Sequence, residues 1–145
     1  MTNGNIRYYD PVRRALVYSS EVASAHFWDE HWKVDDFTKY VKREDRFTVH
    51  WTRKYLSTGD RILEGGCGQG DKVHSLRRAG YEAFGLDFAQ NTLKEVKACV
   101  PELQLLCGDV RYLPFRDAAF DGCWSLGVIE HFYDGFAPIV SELAR

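Results

Sequence analysis

The chain has 145 residues, 45% of them hydrophobic and 28% charged, with a formal charge of −2. That length carries one domain with a real core, and that composition excludes a disordered chain. The near-neutral charge excludes a broad electrostatic attraction to nucleic acid or membrane, and no apolar run reaches the roughly 18–20 residues of a membrane span.

Residues 1–10 are polar and read as loose, without the basic-then-apolar layout of a signal peptide. From Pro11 to about Ala25 the pattern is weakly helical, with Pro11 acceptable in a first turn. His26, Phe27, Trp28, Asp29, Glu30, His31 and Trp32 follow. Two histidines beside two acids invite a metal, but they stand five apart and H-E-x-x-H is absent. An amphipathic lid or packing segment is the plainer reading. A helix is expected from Asp36 to about Leu56, with Phe37, Tyr40, Val41, Phe47, Trp51 and Tyr55 as its apolar stripe. That stripe reads as core, or alternatively as part of a substrate pocket.

Arg61 to Glu64 reads as the first strand of the main domain. Gly65-Gly66-Cys67-Gly68-Gln69-Gly70 follows, then a helix to about Ala79, with Asp71 as its N-cap and Gly80 as its stop. Strand, glycine turn and helix form a nucleotide-binding layout. The dinucleotide pattern G-x-G-x-x-G fails by one residue, and no lysine followed by serine or threonine completes a P-loop. A carboxylate at Glu64 would repel a pyrophosphate but suits a cationic ligand. A glycine-rich structural turn is the plain alternative.

Residues 81–86 form the expected second strand, ending at Asp87, 19 positions after Gly68. An acid there can accept from two ribose hydroxyls, or it simply caps the helix that begins near Gln90. That helix runs to Val100 and Pro101 closes it. Residues 103–107 and 120–126 are the third and fourth strands, joined by a loop containing Leu113-Pro114-Phe115. A last helix begins near Phe136. Strands alternating with helices imply a parallel, doubly wound sheet with ligands at the strand C-terminal ends. The cysteines Cys67, Cys99, Cys107 and Cys123 form no C-x-x-C pair, so zinc is not indicated and reduced thiols are expected.

The glycine stretch from Glu64 to Gly70 resembles motif I of the class I S-adenosylmethionine-dependent methyltransferases. Phe84-Gly85-Leu86-Asp87 matches their second strand end. The run from Gly108-Asp109-Val110 through Leu113-Pro114-Phe115, Phe120-Asp121 and Ser125-Leu126-Gly127-Val128-Ile129-Glu130-His131-Phe132 resembles the small-molecule group, ubiquinone/menaquinone-type enzymes included. The match spans residues 61–132. It implies an α/β Rossmann-like parallel sheet, here partial at about four strands and preceded by N-terminal helices. Residues 1–57 would be a helical lid segment and 58–145 the S-adenosylmethionine-binding domain.

The resemblance implies that Glu64, Gly65, Gly66, Gly68 and Gly70 cradle the cofactor and Asp87 takes the ribose. Asp109, the Val110 N–H and Phe88 would meet adenine, and Ser125, Leu126 and Gly127 would run under the methionine part. His131 is a candidate base, with a packing or capping histidine as the plain alternative. The implied reaction is methyl transfer to a small-molecule acceptor in the cytoplasm, without nucleic acid, metal or membrane span. A cofactor-binding module without turnover and a nicotinamide-dependent oxidoreductase are the alternatives. The family sheet has seven strands, so the fourth strand here is expected to be an open edge, which a homo-oligomer could cover.

Overall fold

The computed structural model describes residues 6–19, 24–133 and 135–145. In chain order its elements are β1 (Ile6–Asp10), β2 (Ala15–Ser19), α1 (Ala25–His31), α2 (Phe37–Val41) and α3 (Arg46–Tyr55). Next come β3 (Arg61–Gly65), α4 (Asp71–Arg78), β4 (Glu82–Asp87), α5 (Gln90–Cys99) and β5 (Gln104–Cys107). β6 (Gly122–Trp124), a 3₁₀ turn (Ile129–His131) and α6 (Ala137–Ala144) complete the chain.

The main sheet has the order β5-β4-β3-β6 and is parallel throughout. Period-2 alternation divides its side chains between two layers. Ile62 and Ala83 enter the larger core with Val73, Leu76, Val96 and Leu103, on the side of α2, α4 and α5. Leu63 and Leu86 point the other way, onto Val110, Leu113 and Ile139 of the β5–β6 loop and α6. Glu64 alternates back to the α4 side, where Lys72 stands. Among the described strands, β6 pairs only with β3, so the expected open edge is present. No described helix is long and apolar enough to cross a membrane.

Four expectations change. Residues 1–5 and 20–23 lie outside the described residues, but 6–19 form an antiparallel hairpin rather than a loose start and a helix. Tyr8, Tyr9, Leu16, Val17 and Tyr18 favour strands. Asp10 builds the turn by accepting from the Val12 and Arg13 N–H groups at 2.9 and 3.0 Å. The single helix from Asp36 to Leu56 is two, because Asp45 accepts from the Thr48 N–H and starts α3 afresh.

The stripe on α3 is inverted. Thr48 and Thr52 are buried, while Phe47, Trp51 and Tyr55 are exposed. Thr52 earns its place through polar bonds: its hydroxyl donates to the Thr48 carbonyl and accepts from the Trp124 indole N–H at 2.9 Å. The aromatic residues line a groove of about 370 Å³ with Leu56, Ile62 and Trp124. That groove runs past the start of β3 and along β6 to its last residue, Trp124, and none of the candidate cofactor residues lines it. Finally, Gly70 and not Asp71 occupies the N-cap of α4. Asp71 sits in the first turn and pairs with Arg43 at 2.7 Å, which ties the α2–α3 connection to α4.

Candidate functional site at the strand tips

The turn after β3 depends on glycine at three alternate positions. Gly66, Gly68 and Gly70 have φ of +80°, +48° and +73°, a region costly for other residues. The Gly66 and Cys67 N–H groups both donate to the Leu86 carbonyl, at 2.8 and 3.1 Å, and fasten the turn to β4. A Cβ at Gly66 would overlap the Val128 side chain, and one at Gly68 would lie 3.0 Å from the Trp32 indole. The turn is therefore bare backbone with close neighbours on two sides.

Three carboxylates stand at or just past the ends of β3, β4 and β5. Glu64, at the end of β3, is 1% exposed. Its Oε1 stands 3.6 Å from the Lys72 ammonium, and its Oε2 is buried without a hydrogen-bond partner. Burial pushes its carboxyl up to about 8, against the pull of Lys72. Asp87, at the end of β4, is also buried. One oxygen accepts from the Gly68 N–H at 2.8 Å and the other from the Ala89 N–H at 2.9 Å. Burial raises its carboxyl, and these backbone donors oppose the rise. Asp109, just past β5, is gripped by Arg111 through Nε at 3.0 Å and Nη2 at 2.5 Å, which holds its carboxyl below the usual range.

The remaining sequence candidates fall on the same tips. Gly65 is the last residue of β3, and Val110 packs beneath it: a Cβ on Gly65 would come 3.2 Å from Val110 Cγ1. Phe88 is half-buried between Asp87 and Ala89. Ser125 follows β6, and its buried hydroxyl has no hydrogen-bond partner. Leu126 is exposed, and Gly127 turns the chain at φ +74°. His131 stands exposed in the 3₁₀ turn, with the Trp28 ring edge-on at 4.8 Å. Among the described residues, no group of three or more His, Cys, Asp or Glu could hold a metal ion.

Sequence reasoning missed how α1 is held. Asp29 reaches across to the start of α5, whose own N-cap, Ala89, offers no side-chain acceptor. The Asp29 carboxylate accepts from the Thr92 N–H at 2.9 Å, the Thr92 hydroxyl at 3.1 Å and Asn91 Nδ2 at 2.9 Å. It thus caps α5 from another helix. Gln69, inside the glycine turn, donates to the Trp32 carbonyl at 3.0 Å. Trp28 and Trp32 stack at 5.8 Å. Together these contacts lay an aromatic roof from the glycine turn to His131. The missing cap residue at Ala89 was the available signal.

The comparisons agree with one another. A protein-family model described as "Methyltransferase domain" matches residues 63–145. The "Probable S-adenosylmethionine-dependent methyltransferase" of Mycolicibacterium smegmatis is 34% identical over 97 residues, covering 67% of this chain and 37% of that protein. The demethylmenaquinone methyltransferase of Renibacterium salmoninarum is 35% identical over 79 residues, covering 51% of this chain and 33% of its own. The matches to these two relatives thus span only about a third of their lengths. The crystal structure of a TehB-like SAM-dependent methyltransferase from Corynebacterium glutamicum superposes with a TM-score of 0.61 at 21% identity, covering 81% of this chain and 64% of that one. At that identity the likeness shows the fold.

Proposed function

This chain belongs to the class I S-adenosylmethionine-dependent methyltransferases, and on that premise we propose that it binds the cofactor at the strand tips and methylates a small-molecule acceptor. Neither the matched family nor these relatives supports an oxidoreductase. The observation that carries the proposal is the unpartnered Glu64 Oε2, buried at the tip of β3, the strand next to the one that ends in Asp87. A buried, half-satisfied carboxylate is costly alone and favourable beside a cation. The unpartnered Ser125 hydroxyl lies at the end of the adjacent strand and offers a second polar group.

When bound, S-adenosylmethionine supplies a methyl group on a positively charged sulfur. Glu64 would face the cationic methionine part, and Gly65, Gly66, Gly68 and Gly70 would give it bare backbone. Ser125, Leu126 and Gly127 would run along it. Asp87, already oriented by two backbone donors, would accept from the ribose hydroxyls. Asp109, Val110 and Phe88 would border adenine, with Arg111 fixing the Asp109 carboxylate. The roof of Trp28 and Trp32 would exclude water. His131, at the rim, would take a proton from an acceptor that must lose one.

The acceptor class follows the Renibacterium relative, whose name gives demethylmenaquinone as its own substrate. Residues 1–57 would serve as the lid segment and 58–145 as the cofactor domain. A second copy across the open β6 edge would cover it. A cytoplasmic setting fits four free thiols. The test is transfer of label from methyl-tritiated S-adenosylmethionine to phenols, hydroquinones and carboxylic acids. Label in product supports the enzyme reading. Cofactor binding with no label in any acceptor favours a module without turnover.

Glu64 gives a pH prediction. Its carboxyl is raised from 4.5 to about 8 in the fold. The folded state therefore holds this proton more tightly than the unfolded chain. The associated stability is fully present below pH 4.5 and is lost as pH rises through about 8, at up to about 1.4 kcal/mol per pH unit. Asp87 adds in the same direction. Denaturant unfolding from pH 5 to 8 should show falling stability, and Glu64→Gln should flatten the slope. An unchanged slope in that variant would remove Glu64 as its source.

A further inference from the structure

The β1–β2 hairpin has two unlike faces. Registered pairs place Tyr8 opposite Val17 and Asp10 opposite Ala15, and Arg7 opposite Tyr18 and Tyr9 opposite Leu16. Alternation puts the first four residues on one face and the second four on the other. The first face meets Tyr133 at its Asp10 end, although Tyr8 on it stays 44% exposed. The Tyr133 hydroxyl donates to Asp10 Oδ2 at 2.9 Å and meets the Tyr8 hydroxyl at 3.1 Å. Arg13 bonds Asp10 at 3.1 Å and lies over the Tyr133 ring at 4.4 Å.

The second face is turned to solvent. Tyr9 is 59% exposed, Leu16 80%, Tyr18 56% and Val12, at the turn, 88%. A two-stranded ribbon is marginal by itself and does not ordinarily spread four large apolar side chains in water. Within the hairpin the charge left unbalanced is positive, since Arg13 is paired with Asp10 and Arg7 and Arg14 remain. Of the charged residues from 6 to 19, Arg7, Arg13 and Arg14 are positive, and the one acid, Asp10, is buried against Arg13 and Tyr133. Arg7 lies over the Tyr18 ring at 4.9 Å. An apolar turn tip flanked by tyrosines and arginines is the composition that inserts shallowly into a lipid headgroup layer. The rings sit at the boundary and the guanidinium groups reach anionic headgroups.

We propose that this outward face docks on an anionic lipid surface. The complementarity is local, since the whole chain carries −2. The first face meets Tyr133, two residues beyond His131, so docking would bring the site's rim to the bilayer. Drawing an apolar acceptor from the lipid is a consequence that rests on the methyl-transfer reading; the docking itself does not.

The test is co-sedimentation of the 145-residue chain with phosphatidylcholine vesicles, with and without phosphatidylglycerol. Binding to the anionic vesicles, weakened by salt, is expected. Arg7→Ser and Arg14→Asn should each lower partition about fivefold. Val12→Asp and Leu16→Asp should each lower it roughly tenfold or more. All four positions are exposed, so the fold should persist, which circular dichroism checks. Equal binding to both vesicle types, no binding, or variants that bind like the parent would each overturn the proposal. So would a dimer in sedimentation equilibrium that Leu16→Asp splits without any vesicle binding, which would make the face a contact between copies. Titration of the same preparations with S-adenosylmethionine separates the two claims. Docking without cofactor binding keeps the surface and removes only acceptor delivery.

Discussion

An Asp87→Ala chain is expected to lose saturable binding of S-adenosylmethionine, by at least about 100-fold in affinity. Two losses combine. The carboxylate is the acceptor assigned to the ribose hydroxyls, and each charge-assisted hydrogen bond is worth about 1.5–3 kcal/mol. It also holds the Gly68 and Ala89 N–H groups, so alanine leaves two buried donors unpaired beneath the cofactor turn, at about 1–3 kcal/mol each. The second loss lowers stability and must be separated from the first. Binding should therefore be measured well below the unfolding midpoint of the variant. Asp87→Asn, which keeps one oxygen, allows a cycle against the 2′-deoxy cofactor analogue. If Asp87 bonds the ribose, the parent chain discriminates between the two ligands and the asparagine variant largely ceases to. Equal discrimination in both chains would leave Asp87 as a turn brace only.

Gly66→Ala is expected to cost about 3 kcal/mol of stability and to abolish cofactor binding. The backbone term alone is about 1–2 kcal/mol at φ +80°. The rest is steric, because the new Cβ would overlap Val128 and a packed interior resists added atoms. Val128 leads into the turn that carries His131, so relief would come from displacing that rim. Gly59→Ala is the control. Gly59 has φ +96° but an added Cβ there meets nothing within 4 Å, so only the backbone cost should appear. Denaturant midpoints of the two variants make the comparison. Equal losses would mean that the contact with Val128 carries no weight.

The parallel half of the fold was legible because its signals are local and dense. Three glycines at alternate positions after Ile62-Leu63-Glu64 fix strand, turn and helix within ten residues. The acids at residues 87 and 109 stand just where strands end, so alternation and chain length alone bring them to one rim. The first 57 residues were much less legible. The aromatic residues of the hairpin fit either a weak helix or a strand, and the Asp10 turn decides between them only once its carboxylate is placed. On α3 an apolar stripe predicted the wrong buried face, since Thr52 is drawn in by its bond to Trp124, a residue 72 positions away. The Asp29 cap on α5 is equally non-local, at a separation of 63. Such contacts leave no periodicity behind.

Calorimetric titration of the purified 145-residue chain with S-adenosylmethionine, S-adenosylhomocysteine and NAD tests the central claim most directly. The expected result is saturable, one-to-one binding of the first two and none of the third. Affinity for S-adenosylmethionine should fall when Glu64 is replaced by glutamine, and affinity for S-adenosylhomocysteine, which keeps the ammonium but lacks the sulfonium charge, should fall less. A chain shown to be folded that binds neither sulfur ligand, or that binds NAD instead, would contradict the claim that these strand tips form an S-adenosylmethionine site.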